Sequence, residues 1–324
     1  MTGKVTIVIP TFKRPTQLVC AVESLFAQRQ LDAIAPKLVI VDNDPDGSAL
    51  APAARLRALA PASIAIEVVH CRDAGVANAR NAAMDKVETR FVAFLDDDQT
   101  ASPEWLSNLL TAQKAVGAAV TFGPVQAVLP DEVEQHRDYF ERFFSRRPAF
   151  ETGLIDTYFG CGNALIDLHQ ISLRRPLFDP RMNEVGGEDD LLFIRVEAEG
   201  GRFAWAKKAR VFEHVPRSRS QLSYTLARAV GFGQGPTRRA QEHGNLAGVA
   251  YWVGVGLGQS VVFGTLAGFG WLLGAKHRVM WLDRAAQGFG KMVWRAPFKF
   301  YGQSQIKTDV RSDEAGRVAP KPQA

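Results

Sequence analysis

Three consecutive carboxylates, Asp96-Asp97-Asp98, follow the short apolar run Phe91-Val92-Ala93-Phe94-Leu95. Adjacent carboxylates repel unless something positive joins them, and hard oxygen donors suit Mg2+ or Mn2+, usually shared with substrate phosphates. The plain alternative is an acidic loop leading into the helix that Ser102-Pro103-Glu104 would start. Two other strand-like runs also finish in groups that can hold a ligand. Val5 to Pro10 passes into Thr11, and Lys37 to Val41 ends at Asp42. A nucleotide lying across such ends would use backbone groups of Pro10 and Thr11, with Asp42 accepting from a base N–H and Arg72 or Arg80 facing base or phosphate. Turn chemistry alone accounts for Asp46-Gly47.

These groups need elements that bring them to one edge. Apolar runs without polar alternation read as buried parallel strands, and ligands bind beyond the carboxyl ends of such strands. Strands over 5–10, 37–41, 64–70 and 91–95 are expected to alternate with helices over about 16–28, up to about 60, and 76–87. That alternation builds an α/β fold with a parallel sheet covered on both faces. In the helix over 76–87, Val76, Ala79, Ala83 and Val87 are expected on the inner face, with Arg80 and Asn81 off it.

The first turn, Pro10-Thr11-Phe12-Lys13-Arg14-Pro15, has no glycine for a dinucleotide pyrophosphate, and no Gly-Lys-Ser/Thr phosphate loop occurs. A cation on the acidic cluster is the natural substitute. No Ser/His or Cys/His arrangement suggests a covalent intermediate. A nucleotidyltransferase would share the sheet and the metal, but its Gly-rich, Arg-containing first loop is missing.

The runs Val5-Thr6-Ile7-Val8-Ile9-Pro10-Thr11-Phe12-Lys13-Arg14 and Val39-Ile40-Val41-Asp42-Asn43-Asp44, the stretch Gly75 to Asn81, and Phe94-Leu95-Asp96-Asp97-Asp98 resemble the nucleotide-sugar half of a family 2 glycosyltransferase with the GT-A fold. The likeness continues through Gly160-Cys161-Gly162-Asn163-Ala164, Gly187-Glu188-Asp189-Asp190 and the His214 region, over roughly residues 4 to 240. It implies a Rossmann-like central sheet, mostly parallel, with helices on both faces. Asp96 to Asp98 take the part of the family's DxD motif. Asp98 would coordinate a divalent cation, while Asp96 and Asp97 would face donor sugar and ribose. Asp42 matches the acid that recognises the base, usually uracil, and His214 a histidine that in some relatives helps hold metal or diphosphate.

Asp189 matches the catalytic base, with Glu188 and Asp190 as possible substitutes and helix-dipole pairing as the plain alternative. The implied activity is inverting transfer from a nucleoside-diphosphate sugar, and a membrane-bound, non-catalytic nucleotide-sugar scaffold is the rival. The glycines at 160 and 162 suggest a close backbone approach near the donor or acceptor.

Of 324 residues, 46% are hydrophobic and 23% charged, as in an ordinary globular protein. The three cysteines, Cys20, Cys71 and Cys161, show no metal-type spacing, which favours a reducing compartment without disulfides. The beginning of the sequence suggests no secretory leader. Net charge is +5, yet residues 276–324 hold ten Lys or Arg against four Asp or Glu, so the basicity is a property of the C-terminal stretch.

Residues 1–240 are expected to form the catalytic domain, with nucleotide-sugar and acceptor halves meeting near 125. Residues 244–300 would be membrane-associated helices and 301–324 a disordered tail. Between Arg137 and Arg147 arginines interleave with Tyr139, Phe140, Phe143 and Phe144; Phe140, Phe143 and Phe144 make a packing stripe by default, a mobile acceptor loop or membrane-facing helix is the alternative, and no nucleic-acid module accompanies them. From Gly244 to Ala275 there is no Asp, Glu, Lys or Arg. That length permits a membrane span, but basic residues on both sides favour a glycine-broken re-entrant hairpin or an interfacial helix pair. Next, Val279, Leu282, Ala286, Phe289 and Val293 make an apolar stripe opposite Arg284, Lys291 and Arg295. This suggests an amphipathic helix on anionic lipid, ended by Pro297. Together these features suggest a lipid-linked saccharide acceptor at the cytoplasmic face of the cell membrane.

Overall fold

The structure is a computed structural model that describes residues 5–172, 174–184 and 186–295. The first half alternates β1 (Val5–Thr11), α1 (Pro15–Phe26), a single turn α2 (Leu31–Ile34), β2 (Lys37–Asp42), α3 (Leu50–Leu59), β3 (Ala65–His70), α4 (Val76–Met84) and β4 (Phe91–Phe94). There follow β5 (Gln99–Ala101), α5 (Trp105–Val116), β6 (Val120–Phe122), β7 (Val125–Val128), α6 (Arg137–Phe144), β8 (Gly153–Ile155), β9 (Ala164–Asp167), α7 (Glu188–Ala198), β10 (Phe203–Trp205) and β11 (Val211–His214). The long helices α8 (Leu222–Glu242), α9 (Leu246–Leu272) and α10 (Arg278–Met292) come last among the described residues.

Two compact units result, one of residues up to 128 with 144–214, the other of 129–143 with the helices from 215 onward. The expected boundary near residue 240 lies inside α8.

In the first unit an eight-stranded sheet has the order β3-β2-β1-β4-β9-β6-β10-β8. The strands β3, β2, β1 and β4 are mutually parallel, as right-handed crossovers require. The period of two along β1 divides the core. Ile7 and Ile9 face α1, α3 and α5, while Val8 faces α4 and α7. Beyond β4 the sheet becomes mixed, because β9 runs antiparallel to both β4 and β6. A small sheet, β5-β11-β7, was not expected; it begins directly after the acidic triplet.

Helix α4 ends at Met84, and Arg80 lies on its buried face rather than off it. The second unit also departs from expectation. α9 runs unbroken from Leu246 to Leu272 despite its glycines, so the chain does not re-enter within it. On α10 the buried residues are Val279, Gly288, Gly290 and Lys291; Leu282, Ala286 and Val293 of the expected stripe are half-buried, and only Phe289, exposed, and Lys291, buried, change sides. Glycines explain this. Backbone of α9 at Gly256 meets Gly288, and backbone of α8 at Val230 meets Gly290, so close approach rather than side-chain apolarity selects the inner face. Tyr139 and Phe140 of α6 are buried, and Tyr139 Oη donates to Asp283 Oδ1 at 3.0 Å, in keeping with a packing role. Pro297 and the expected tail lie outside the described residues.

Candidate active site

Parallel register puts Thr11, Asp42 and His70 side by side at the carboxyl edge of the sheet. The acidic triplet leaves β4 at the same edge, and Asp97 is drawn into it. Its Oδ2 accepts from Thr11 Oγ1 at 2.8 Å and from Phe12 N at 3.4 Å, and its Oδ1 accepts from Arg14 Nη1 at 3.0 Å. The same Arg14 nitrogen donates to Asp98 Oδ2 at 2.9 Å. One guanidinium therefore already joins two of the three repelling carboxylates. Burial raises Asp97 above the ordinary carboxylate range, with Arg14 opposing and Asp98 adding to the rise.

Asp96 turns the other way. Its Oδ1 lies 3.6 Å from Arg80 Nη2, and burial in the cleft, resisted by Arg80 and reinforced by Asp98, Asp97 and Asp189, pushes it up to about 6. Arg80 is itself buried and pairs with Glu188, with Asp189 Oδ2 4.0 Å away. Burial disfavours its charge, but the carboxylates of Glu188, Asp189 and Asp96 outweigh that and hold it above its usual value. Its Nε has no hydrogen-bond partner among the described residues.

The three acids opening α7 are thereby told apart. Gly186 and Gly187, at φ +78° and +89°, carry the chain into the helix, which points Glu188 inward onto Arg80 and leaves Asp190 exposed. Burial raises Glu188, with Arg80 opposing. Asp189 sits between them at the rim. Its Oδ2 accepts from Cys161 N at 2.9 Å and its Oδ1 from Asp190 N at 3.0 Å.

The expected glycine approach exists, and it is to the acids. A Cβ at Gly162 would collide with Asp96 Oδ2, and one at Gly160 would crowd Asp189 Oδ2. Arg146 secures this loop from outside by donating to the carbonyls of Gly123, Gly160, Gly162 and Asn163 at 2.5–3.3 Å. Burial pulls it down to about 10. Asn163, at φ +65°, donates to Pro124 O and Ala209 O and accepts from Trp105 Nε1 at 2.7 Å. Cys161 is buried, which keeps its thiol protonated and suits packing.

The remaining expected residues have plainer surroundings. Both Asp42 oxygens accept backbone N–H groups, from Asp44 at 3.0 Å and Ala49 at 2.7 Å, which folds the 43–49 loop back onto β2. Asp42 is fully buried beneath that loop. Thr11 O accepts from Asn43 N at 2.9 Å, Pro10 is half-buried within β1, and Arg72 is exposed. His214 N donates to Asp98 O at 2.8 Å, bringing the two residues together through the backbone, while its Nε2 lies 3.0 Å from Thr100 Oγ1.

Among the described residues no three His, Cys, Asp or Glu side chains gather as a ready-made metal cage. Asp98 and His214 are joined through their backbones, with the Asp98 carboxylate on Arg14 and the His214 ring on Thr100.

Arg14 and Arg146 were not singled out as site residues from sequence. For Arg80 the signal was present, since it falls four residues after Val76 and three before Ala83, on the inner face of the helix.

Residues 6–169 match the model of the family described as "Glycosyl transferase family 2". The chain is 34% identical over 224 residues to the succinoglycan biosynthesis protein ExoM of Rhizobium meliloti, covering 69% of this chain and 71% of that protein. The mannosyltransferase PcManGT from Pyrobaculum calidifontis, solved with GDP-Man and Mn2+, superposes with a TM-score of 0.57 at 17% identity over 91% of this chain and 88% of that one. S. aureus TarS 1–349 with UDP superposes at 0.52 and 15% identity, covering 90% and 91%. The chain spans 39% of the longer TarS structure. A parallel half-sheet ending in an acidic triplet, and the family match over residues 6–169 that contain it, lead to one conclusion: this chain belongs to glycosyl transferase family 2, has the GT-A fold and is a glycosyltransferase.

Proposed function

We propose that the protein transfers a sugar, with inversion, from a nucleoside-diphosphate donor, a UDP-sugar in the first instance, to a lipid-linked saccharide held at the cytoplasmic face of the cell membrane. The observation that carries this is the convergence of Asp96 and Asp189 on Arg80, at 3.6 and 4.0 Å, while Asp97 and Asp98 share Arg14. One carboxylate is thus available for an acceptor hydroxyl, and a separate set faces the donor. Asp189 takes the proton as the hydroxyl oxygen bonds to the anomeric carbon and the bond from that carbon to the diphosphate breaks.

Asp96 and Asp97 face sugar and ribose. Asp42, with Pro10, Thr11 and Arg72 around it, holds the nucleoside. Asp98 and His214 would hold Mn2+ or Mg2+, which when bound neutralises charge on the departing diphosphate. Arg80 stays with its carboxylates and orients them, rather than meeting phosphate. All of these residues, from Pro10 to His214, belong to the first unit. The names of the relatives support the reading, since ExoM is a succinoglycan biosynthesis protein and the structural neighbours carry UDP or GDP-Man with Mn2+.

The test is thermal-shift binding of nucleotide sugars to the detergent-solubilised chain with and without Mn2+. At a hundred times its dissociation constant a donor stabilises by about 2.7 kcal/mol. Mn2+-dependent stabilisation by one donor is expected. Absence of any shift across uridine and guanosine donors overturns the donor assignment.

A further inference from the structure

Helix α9 contains no charged residue, and of its most apolar stretch only 6% is buried. A core helix would be mostly covered. Side chains at 100° steps divide α9 into two faces. Leu257, Val261, Phe269 and Leu272, at 57%, 59%, 60% and 82% exposure, lie on an open arc of roughly half the circumference. The opposite arc, through Gly256, Ser260, Phe263, Ala267 and Gly270, is backed by α10.

That backing decides how α9 can meet lipid. At 27 residues it is roughly 40 Å long, enough to cross a bilayer. At its midpoint, however, Gln259 Nε2 donates to Arg284 O at 2.9 Å and Gln259 Oε1 accepts from Lys291 Nζ at 3.0 Å. The Arg284 guanidinium lies 5.5 Å from the Phe263 ring centre. Asp283, joined to Tyr139 and Gln287, is the preceding residue on α10. A crossing α9 would carry Asp283, Arg284 and Lys291 to mid-bilayer depth, where charges are most costly. α10, with 15 residues, is too short to cross beside it. Arg238 and Arg239 precede the apolar helix and Lys276 and Arg278 follow it, so both ends suit anionic headgroups. Tyr251, Phe269 and Trp271 on exposed positions suit the same depth.

We propose that α9 lies in the plane of an anionic membrane leaflet, its open apolar arc sunk to the boundary of headgroups and acyl chains, and does not cross the bilayer. This keeps the lipid contact within the charge-free stretch where the sequence put it, but assigns it to one unbroken helix lying in the plane rather than to a broken hairpin. It deepens the reading of a membrane-held acceptor, and its test uses no sugar donor, so the two stand or fall separately.

The full-length chain is floated with phosphatidylcholine vesicles with and without phosphatidylglycerol. Binding is expected to rise with phosphatidylglycerol. Val261→Asp and Phe269→Asp, both at exposed positions, are expected to weaken binding about tenfold or more. Undiminished flotation of both variants overturns docking through this face. So does a lipid-free dimer that Val261→Asp splits while vesicle binding is unchanged, since the arc would then be covered by a second copy. Crossing is tested separately with Leu246→Cys and Leu273→Cys, each in a Cys20→Ser, Cys71→Ser background. A membrane-impermeant maleimide added outside the vesicles is expected to label both positions. Labelling of only one means that the helix crosses, and overturns the in-plane placement.

Discussion

Arg80 in the first unit and Lys291 in the second are almost equally buried, 5% and 8% exposed, yet the two cations live under opposite electrostatics. Arg80 has Glu188, Asp96 and Asp189 around it, and its charge is held above the ordinary value against burial. Lys291 donates to the neutral amide of Gln259, and burial pulls its ammonium below the ordinary range. Burial costs a cation hydration in either place, and the partner decides the outcome. In the active-site unit charges are gathered and countered. In the helical unit a charge is tolerated where glycines have brought backbones together.

The largest expected effect tests what the acids around Arg80 are for. Asp189→Asn is expected to lower transfer about 10² to 10⁴-fold while leaving donor binding nearly intact, measured as turnover against thermal-shift titration. An Asp189→Asn protein with undiminished turnover removes it from the role of base.

Arg80→Ala leaves Glu188 buried without its counter-ion and is expected to cost about 3–5 kcal/mol in chemical denaturation. A cost near zero would dissolve the contrast with Lys291. Arg14, whose side chain is 26% exposed, is the milder case. Arg14→Ala is expected to cost about 1–3 kcal/mol without divalent cation, and Mn2+ should restore most of it if the cation takes over the joining of Asp97 and Asp98. Melts with and without Mn2+ decide this.

The smallest effect sharpens the comparison from the other side. Because the folded chain holds Lys291 below its unfolded value, the unfolded chain binds the extra proton between the two. The cost of burying Lys291 is therefore full at neutral pH and disappears as pH rises past the unfolded value. Lys291→Met is expected to stabilise by about 1 kcal/mol or less near pH 7, with the gain fading toward pH 10.5. A gain independent of pH would mean that packing, not charge, is the cause.

Much of the first unit was legible. β2 and β4, and β1 but for Thr6, fall where apolar runs predicted them, because a strand covered on both faces is nearly apolar throughout, while the edge strand β3 carries Glu67. Asp42 and Asp96 to Asp98 were legible as strand-end acids for the same reason. Less legible was the second half, where β6, β8 and β10 are three residues each and too short to show a period. Arg146 was read within an aromatic, arginine-rich segment, and nothing local tells that its guanidinium meets four backbone carbonyls between residues 123 and 163.

By itself the sequence determined which residues could do chemistry, the edge of the sheet at which they would stand, the family, and the charge-free stretch that became α9. Those properties are local, written in runs and spacings of a few residues. Tertiary structure decided the partners: Arg14 on Asp97 and Asp98, Arg80 on Glu188 across 108 positions, Gly162 against Asp96, and Lys291 turned inward. A counter-ion is chosen by which chain segments the topology brings within a few ångströms, and no pattern along one segment records what stands opposite it.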